Sequence, residues 1–463
     1  GYALDYDLSR GSRVGFAWVK LDYYGTGDDL LLFDAEWRAD PGYPNLEPGF
    51  PVSLGFSGTA PLLVTLDDDP DLEIVFGDWD GWVRAYNPDG STVTGWPRDA
   101  LSFPWPSGAF DHSPVAAGDL EGDGRYEVVA GNLAGQVYAF RRDGTPLPGW
   151  PVNLGTNDTT YVSIGAIAAG SARQVVACSG TSVHVLLPDG SEAPGFPRTV
   201  GETIWAPAAI GDVDEDGSNE IAVVGVHTMT VLRSNGLLLL SMQLNNQTLH
   251  EQPSLADLDL DGDLEIVFAS REGRVYAYHH TGDNFLTWPY TEPTGLPISS
   301  VAVADLLGGN APELAFVTQG GQAHLMWADE TEAAGWPHAT TPPWAVLGGP
   351  IIDTIDGGSP DVILGSVDMQ AYAWNNLLTS VPGWPRDMGK SSYSSPASGD
   401  IDGDGRVEVV FVNANNLVVF DTGAPVDRLD PNGHWPMYGY NPERQSCLAC
   451  GADAVTGVEP GAR

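Results

Sequence analysis

Lysine is nearly missing from this chain: Lys20 and Lys390 are its two copies among 463 residues. Counting arginine as well, 20 basic side chains face 62 acidic ones, a formal net charge of -42. A field of that sign repels nucleic acid, anionic lipid and polyanionic substrates, so nucleic acid is excluded as a partner. Cysteine is also scarce, with three copies, which excludes a disulfide-dense scaffold. Cys178 lies in Val175-Val176-Ala177-Cys178 and reads as a buried strand residue. Cys447 and Cys450 read as a structural disulfide or a link to another subunit, with a redox pair and a zinc half-site as the alternatives. Thioredoxin-type chemistry needs a helix start there, and haem attachment needs a following His; the sequence offers neither.

Long apolar runs are absent too. The densest, Leu237 to Leu240, falls far short of the ~20 residues that cross a bilayer as a helix, so a soluble chain with no membrane insertion is expected. Gly1 is not followed by a basic segment and an apolar stretch, which reads as a mature, processed chain. Catalytic signatures are equally wanting. There is no Gly-x-Ser-x-Gly elbow, no phosphate loop and no His-Glu-x-x-His helix. Two lysines are poor provision for a lyase that must neutralise and deprotonate a uronate. His112 and the pair His279-His280 are candidate metal ligands or bases, with loop residues as the plainer reading. Arg141-Arg142, the sole adjacent basic pair, reads as a solvated hairpin. No catalytic residue is assigned.

What the chain does contain is apolar bulk and turns. A hydrophobic fraction of 42% with 18% charged residues allows a large core, and 57 glycines with 36 prolines demand many reversals. An acidic cassette recurs in register: Asp119-Leu120-Glu121-Gly122-Asp123-Gly124, Asp212-Val213-Asp214-Glu215-Asp216-Gly217, Asp257-Leu258-Asp259-Leu260-Asp261-Gly262 and Asp400-Ile401-Asp402-Gly403-Asp404-Gly405. Carboxylates at alternate positions of a tight turn point to one side and a glycine permits the reversal. A further acid follows at Glu127, Glu220, Glu265 and Glu408, the composition of a calcium loop. An EF-hand is the obvious rival, but its closing Glu comes at position 12 as a helix begins, whereas here the acid sits at position 9 entering a strand. A variant uses Thr65 as leader with Asp67, Asp69, Asp71 and Glu73. Two further repeats, Asp305 to Glu313 and Asp353 to Asp361, keep acids only at their ends and are expected to close without metal.

The spacing of these anchors in the forties fits propeller blades or helix-pair solenoids. The stretch from Ser254 to Pro289 decides between them, with four extended segments, period-two aromatic alternation and no helical pattern. Its closing Trp288-Pro289 recurs as Gly95-Trp96-Pro97, Gly149-Trp150-Pro151, Gly195-Phe196-Pro197, Gly335-Trp336-Pro337, Gly383-Trp384-Pro385 and His434-Trp435-Pro436, read as packing between blades. Counting anchors from Thr65 to Asp400, with the cassette-free stretch Ile164 to Val176 as the third, gives eight repeats. The expected fold is all-β, an eight-bladed propeller of four-stranded blades with calcium loops; seven blades or an extra partial N-terminal blade is the alternative. Residues 1–55, containing Gly49-Phe50-Pro51, form N-terminal strands that complete the ring or serve as an assembly arm; 56–442 form the propeller; 443–463 form a tail with the Cys pair.

The combination of Ser-Pro-Ala-Ser-Gly-Asp (Ser395 to Asp400), the Asp-x-Asp-x-Asp-Gly turn, Glu408-Val409-Val410 and Gly-Trp-Pro resembles the FG-GAP and VCBS repeat family, the calcium-loop modules also found in integrin alpha-subunit heads. The resemblance covers about Thr59 to Pro442. It implies one site at Asp119, Glu121, Asp123 and Glu127, and others at Asp212, Asp214, Asp216 and Glu220; Asp257, Asp259, Asp261 and Glu265; and Asp400, Asp402, Asp404 and Glu408. With the Thr65 variant, about five Ca²⁺ sites are expected. It also implies a secreted or surface-exposed bacterial protein of structural, adhesive or binding character, with protein or carbohydrate as partner. Self-assembly through the N-terminal strands into an array or filament is a further expectation. The alternative is a polysaccharide-active lyase or hydrolase on the same scaffold.

Overall fold

A computed structural model describes residues 45–55, 58–67, 69–78, 81–99, 115–168, 170–244, 251–296, 298–309, 311–340, 348–375, 379–426, 434–441 and 445–448. His112, Cys450, the segment before residue 45 and the end of the tail lie outside them. The protein is all-β, an eight-bladed propeller of four-stranded antiparallel blades. Among the described residues no helix is long and apolar enough to cross a membrane.

The fifth blade shows how the sequence builds one unit. Ser254–Ala256 is innermost, Glu265–Ala269 is second, Arg274–Tyr278 third and Tyr290–Thr291 outermost. The β-branched and aromatic residues of the second strand (Glu-Ile-Val-Phe-Ala) are buried along its whole length, because neighbouring blades cover both faces. Phe268 stacks across to Tyr276 and Tyr278 of the third strand, which also stack on each other along it, with centroids 5.2 to 6.0 Å apart.

The closing element welds neighbouring blades. The indole N–H of Trp96 donates to Arg142 O, that of Trp150 to Pro188 O and that of Trp288 to Ala328 O, each acceptor lying in the third-to-fourth-strand turn of the next blade. The glycine before the ring meets the same turn. A Cβ on Gly95, at φ +98°, would stand 2.2 Å from Asp143 O, so no larger residue fits. The rings are core, as their fixed place in each repeat predicts.

The ring closes through the N-terminal segment. In the eighth blade Ala397–Gly399, Arg406–Val412 and Asn416–Pro425 supply three strands, and Asn45–Leu46 with Val52–Ser53 pair against Asn416–Pro425 as the outer one. Gly49 then abuts Asp89 O of the first blade, and Leu72 N donates to Ile401 O across the same junction. Residues 45–53 are therefore the last strand of the ring.

One sequence-based assignment is corrected. His434-Trp435-Pro436 is not an outer closing element; residues 434–441 and 445–448 run along the central channel and pair with inner strands. Trp435 exchanges backbone hydrogen bonds with Ile352, Ser398 N donates to Pro436 O, and Ile210 N and Leu255 N donate to Gln445 O and Ser446 O. Tyr440 and Cys447 are fully buried there. The apolar content of this segment serves the axis, since Gly49-Phe50-Pro51 already closes the eighth blade.

Candidate metal centres

Each cassette joins the inner strand to the second strand, so all lie on one face of the ring, together with the turns between the third and fourth strands. The backbone organises each loop around its own acids. Asp212 Oδ1 and Oδ2 accept from the N–H groups of Asp216 and Gly217 at 3.0 and 2.9 Å, and Asp257 does the same for Asp261 and Gly262 at 3.1 Å each. The fifth-position acids Asp123, Asp216, Asp261 and Asp404 each accept from the N–H two residues on. The fourth position has positive φ in all four full cassettes: Gly122, Glu215, Leu260 and Gly403.

The acid entering the second strand plays a double part. One oxygen of Glu127, Glu220, Glu265 and Glu408 accepts the N–H of the second loop residue, Leu120, Val213, Leu258 or Ile401, at 2.8 to 3.1 Å; Glu73 accepts in the same way from Leu66. Burial, reinforced by the loop acids, pushes Glu73 up to about 8, Glu127 and Glu220 to about 7, and Glu265 and Glu408 to about 9. In the two blades whose loops lack the middle acids, Glu313 makes the same clasp on Leu306, and Asp361 a similar one on Ile355, the third loop residue. The clasp therefore does not itself require a full cassette.

Four of the five predicted sites converge. Asp67, Asp69 and Glu73; Asp212, Asp214 and Glu220; Asp257, Asp259 and Glu265; and Asp400, Asp402 and Asp404 each bring ligand atoms within 4.8 Å of one another, and these clusters could hold a metal ion. The buried oxygens Glu220 Oε1, Asp214 Oδ1 and Asp400 Oδ1 have no hydrogen-bond partner, so a cation fits the donor set they face. Asp119, Glu121, Asp123 and Glu127 do not form such a group among the described residues. Glu121 is turned to Arg141, whose Nε and Nη2 each hold one of its oxygens at 2.7 Å.

The pairing of Arg141 and its equivalents with the loop acids is what sequence reasoning missed. Arg141 does sit in an exposed hairpin turn, but its guanidinium is engaged by Glu121, and Arg142 donates to Asp67 O of the first blade's loop at 2.9 Å. In the fourth blade Arg233 reaches Asp214 and Asp216, both at 3.0 Å. In the fifth, His279 stands at that position, 2.8 Å from Glu265. The signal was present: each residue directly follows the third strand in its repeat. Cys178 is free and fully buried, its thiol pushed up to about 12 by desolvation, and Cys447 is disulfide-bonded.

Residues 257–316, from the fifth blade's loop into the sixth blade, match the family model of the FG-GAP-like repeat. That stretch is similar to an FG-GAP-like repeat. Among curated protein sequences none matches it. Among solved structures, the biofilm matrix protein Bap1 of V. cholerae is similar over 86% of this chain and 93% of its own, at 13% identity and TM-score 0.58. Sqt1 of Saccharomyces cerevisiae is similar over 83% and 100%, at 12% and 0.55. The quinohemoprotein alcohol dehydrogenase of Comamonas testosteroni covers 84% and 78%, at 11% and 0.54. At such identities the chain shares a propeller fold with these proteins and nothing narrower.

Proposed function

We propose that this protein is an extracellular, calcium-stabilised propeller that acts through binding or assembly, with protein or carbohydrate at the cell surface as its partner. The observation that carries the reading is the set of buried, unpaired carboxylate oxygens, Glu220 Oε1, Asp214 Oδ1 and Asp400 Oδ1, within all-oxygen loops on one face. Hard oxygen donors suit Ca²⁺, and the charge of the loops suits a divalent ion. Calcium bound to the folded form alone adds stability by linkage, ~2.7 kcal/mol per site at a hundredfold excess over Kd. The net charge of -42, and Cys178 as the one free thiol among the described residues, buried, suit a calcium-containing, oxidising exterior. The filled channel also favours action through the rims and faces.

The melting temperature of the chain in calcium and after chelation tests the metal reading. A rise with calcium that Asp402→Asn reduces is expected; equal values in both conditions overturn it. Electron microscopy in the same two conditions tests assembly, where ordered polymers that loosen on chelation are the expected result. Deleting residues 1–13 without changing the assembly state would count against an arm-mediated polymer.

A further inference from the structure

The fifth blade departs from its neighbours in the residues around its loop. Where blades two and four place Arg141 and Arg233 over their acids, it places His279, followed by His280. At the seventh loop position, where the other full cassettes carry Arg125, Ser218 and Arg406, it carries Asp263. His279 Nδ1 is 2.8 Å from Glu265 Oε1 and 3.9 Å from Asp263 Oδ1, and His280 Nδ1 is 2.9 Å from Asp263 Oδ2. Asp263, Glu265 and His279 each direct one ligand atom into a group spanning no more than 4.8 Å.

These atoms are close without being hydrogen-bonded. Glu265 Oε1, Asp263 Oδ1 and His280 Nδ1 are all buried and none has a hydrogen-bond partner, and the Glu265 side chain is 0% exposed. Two other imidazole–glutamate pairs do bond directly. His184 with Glu192 and His324 with Glu332 form hydrogen bonds of 3.0 Å. Donors that converge without bonding to each other are arranged to face something else. The His279 ring is set against buried Phe285, centroids 5.3 Å apart, which fixes its direction.

We infer that the fifth blade carries a site for a borderline divalent transition ion of the zinc class, with His279, Asp263 and Glu265 as ligands and His280 as the fourth available donor. A mixed set of imidazole nitrogen and carboxylate oxygen suits such an ion, whereas the all-oxygen loops suit hard cations. Once deprotonated as ligands, the two carboxylates supply about two negative charges for one divalent ion to cancel, where blades two and four place a guanidinium. Glu265 is shared with the Asp257 and Asp259 cluster, so the inference touches the calcium reading in this blade alone.

The full chain, stripped by chelator and then saturated with calcium, is titrated with ZnCl2 by calorimetry, and separately with Co²⁺ followed by visible absorbance. About one equivalent of zinc is expected to bind despite the calcium, with a cobalt band of mixed nitrogen and oxygen ligation. His279→Gln and His280→Gln, at side chains about a quarter exposed, should each weaken zinc about tenfold or more. Both should retain the calcium-dependent rise in melting temperature from the remaining blades. Asp402→Asn in the eighth blade should do the reverse, lowering the calcium response and leaving zinc unchanged. Zinc binding that is indifferent to both histidine variants, or no cobalt band in the unsubstituted protein, overturns the site while leaving the calcium reading to its own measurement.

Discussion

Arg141 grips Glu121 with two parallel hydrogen bonds of 2.7 Å, and so withdraws from its loop a carboxylate that the cassette pattern assigns to metal. The guanidinium also holds the Glu121 carboxyl below its ordinary range, chiefly through that hydrogen bond. Arg141→Gln should release Glu121 toward Asp119, Asp123 and Glu127. The expected outcome is tighter binding at this loop, read as a larger terbium luminescence signal at low ion concentration and a larger calcium-dependent rise in melting temperature. Equal titrations for the two proteins would mean that Glu121 does not limit the site.

The blades were legible because most repeats restate the same instruction: an acidic turn, a run such as Glu-Ile-Val-Phe-Ala, a glycine turn, an aromatic strand and a Gly-Trp-Pro end; the third lacks the acidic turn and the fourth the closing element. The loop acids were legible for the same reason. Two things were not. His434-Trp435-Pro436 copies the closing element by residue type, and only the pairing of Trp435 with Ile352 reveals that it lines the axis. Arg141, Arg233 and His279 act across 14 to 20 residues on acids of their own blade, a partnership set by the register of the third strand and invisible to a local motif.

Glu313 offers a pH test away from any full cassette. Burial is the main cause that pushes its carboxyl from 4.5 up to about 7, while the N–H groups of Leu306 and Leu307 at 2.7 and 3.1 Å oppose the shift. The folded state thus holds the proton more tightly than the unfolded one. The stability this provides is complete below about pH 4.5, declines as pH rises toward 7, and is absent above it. Glu313→Gln keeps an acceptor for both N–H groups without the charge. It should be more stable than the parent at pH 8, by on the order of 2–3 kcal/mol, with the gap closing by pH 5 in denaturant titrations. A gap that widens toward acid would reverse the sign of the argument.

The axial segment should behave as core. Trp435 is buried, lies 5.2 Å from Tyr440 between ring centroids and exchanges hydrogen bonds with Ile352. Beside it, Ser398 Oγ donates to Asp353 Oδ2 at 2.7 Å and His434 Nδ1 is 3.0 Å from Asp353 Oδ1, all three side chains buried. Trp435→Ala should cost ~3–5 kcal/mol of unfolding free energy. Leu286→Ala, at a side chain 60% exposed, should change it by less than about 0.5 kcal/mol. Similar small losses for both would show that the ring stands without its axis.

Closure by the N-terminal strand makes a sharper demand. Asn45 and Leu46 pair with Asp421 and Phe420, and Val52 and Ser53 pair with Leu417 and Asn416. Removing residues 1–54 leaves the backbone of Asn416–Pro425 as an open edge beside the apolar faces of Phe411 and Phe420, a template for strand pairing between molecules. Such a truncation should scatter light at concentrations where the full chain does not. Adding back a peptide of residues 45–55 should suppress the scattering by restoring the outer strand. Phe50→Ala keeps the pairing but empties the place of a buried ring, so it should lower stability by ~3–5 kcal/mol without aggregation at low temperature. A truncated chain that stays dispersed and melts like the parent would mean that the strength of closure lies in the first-to-eighth blade contacts, such as Leu72 N to Ile401 O, and not in the strand.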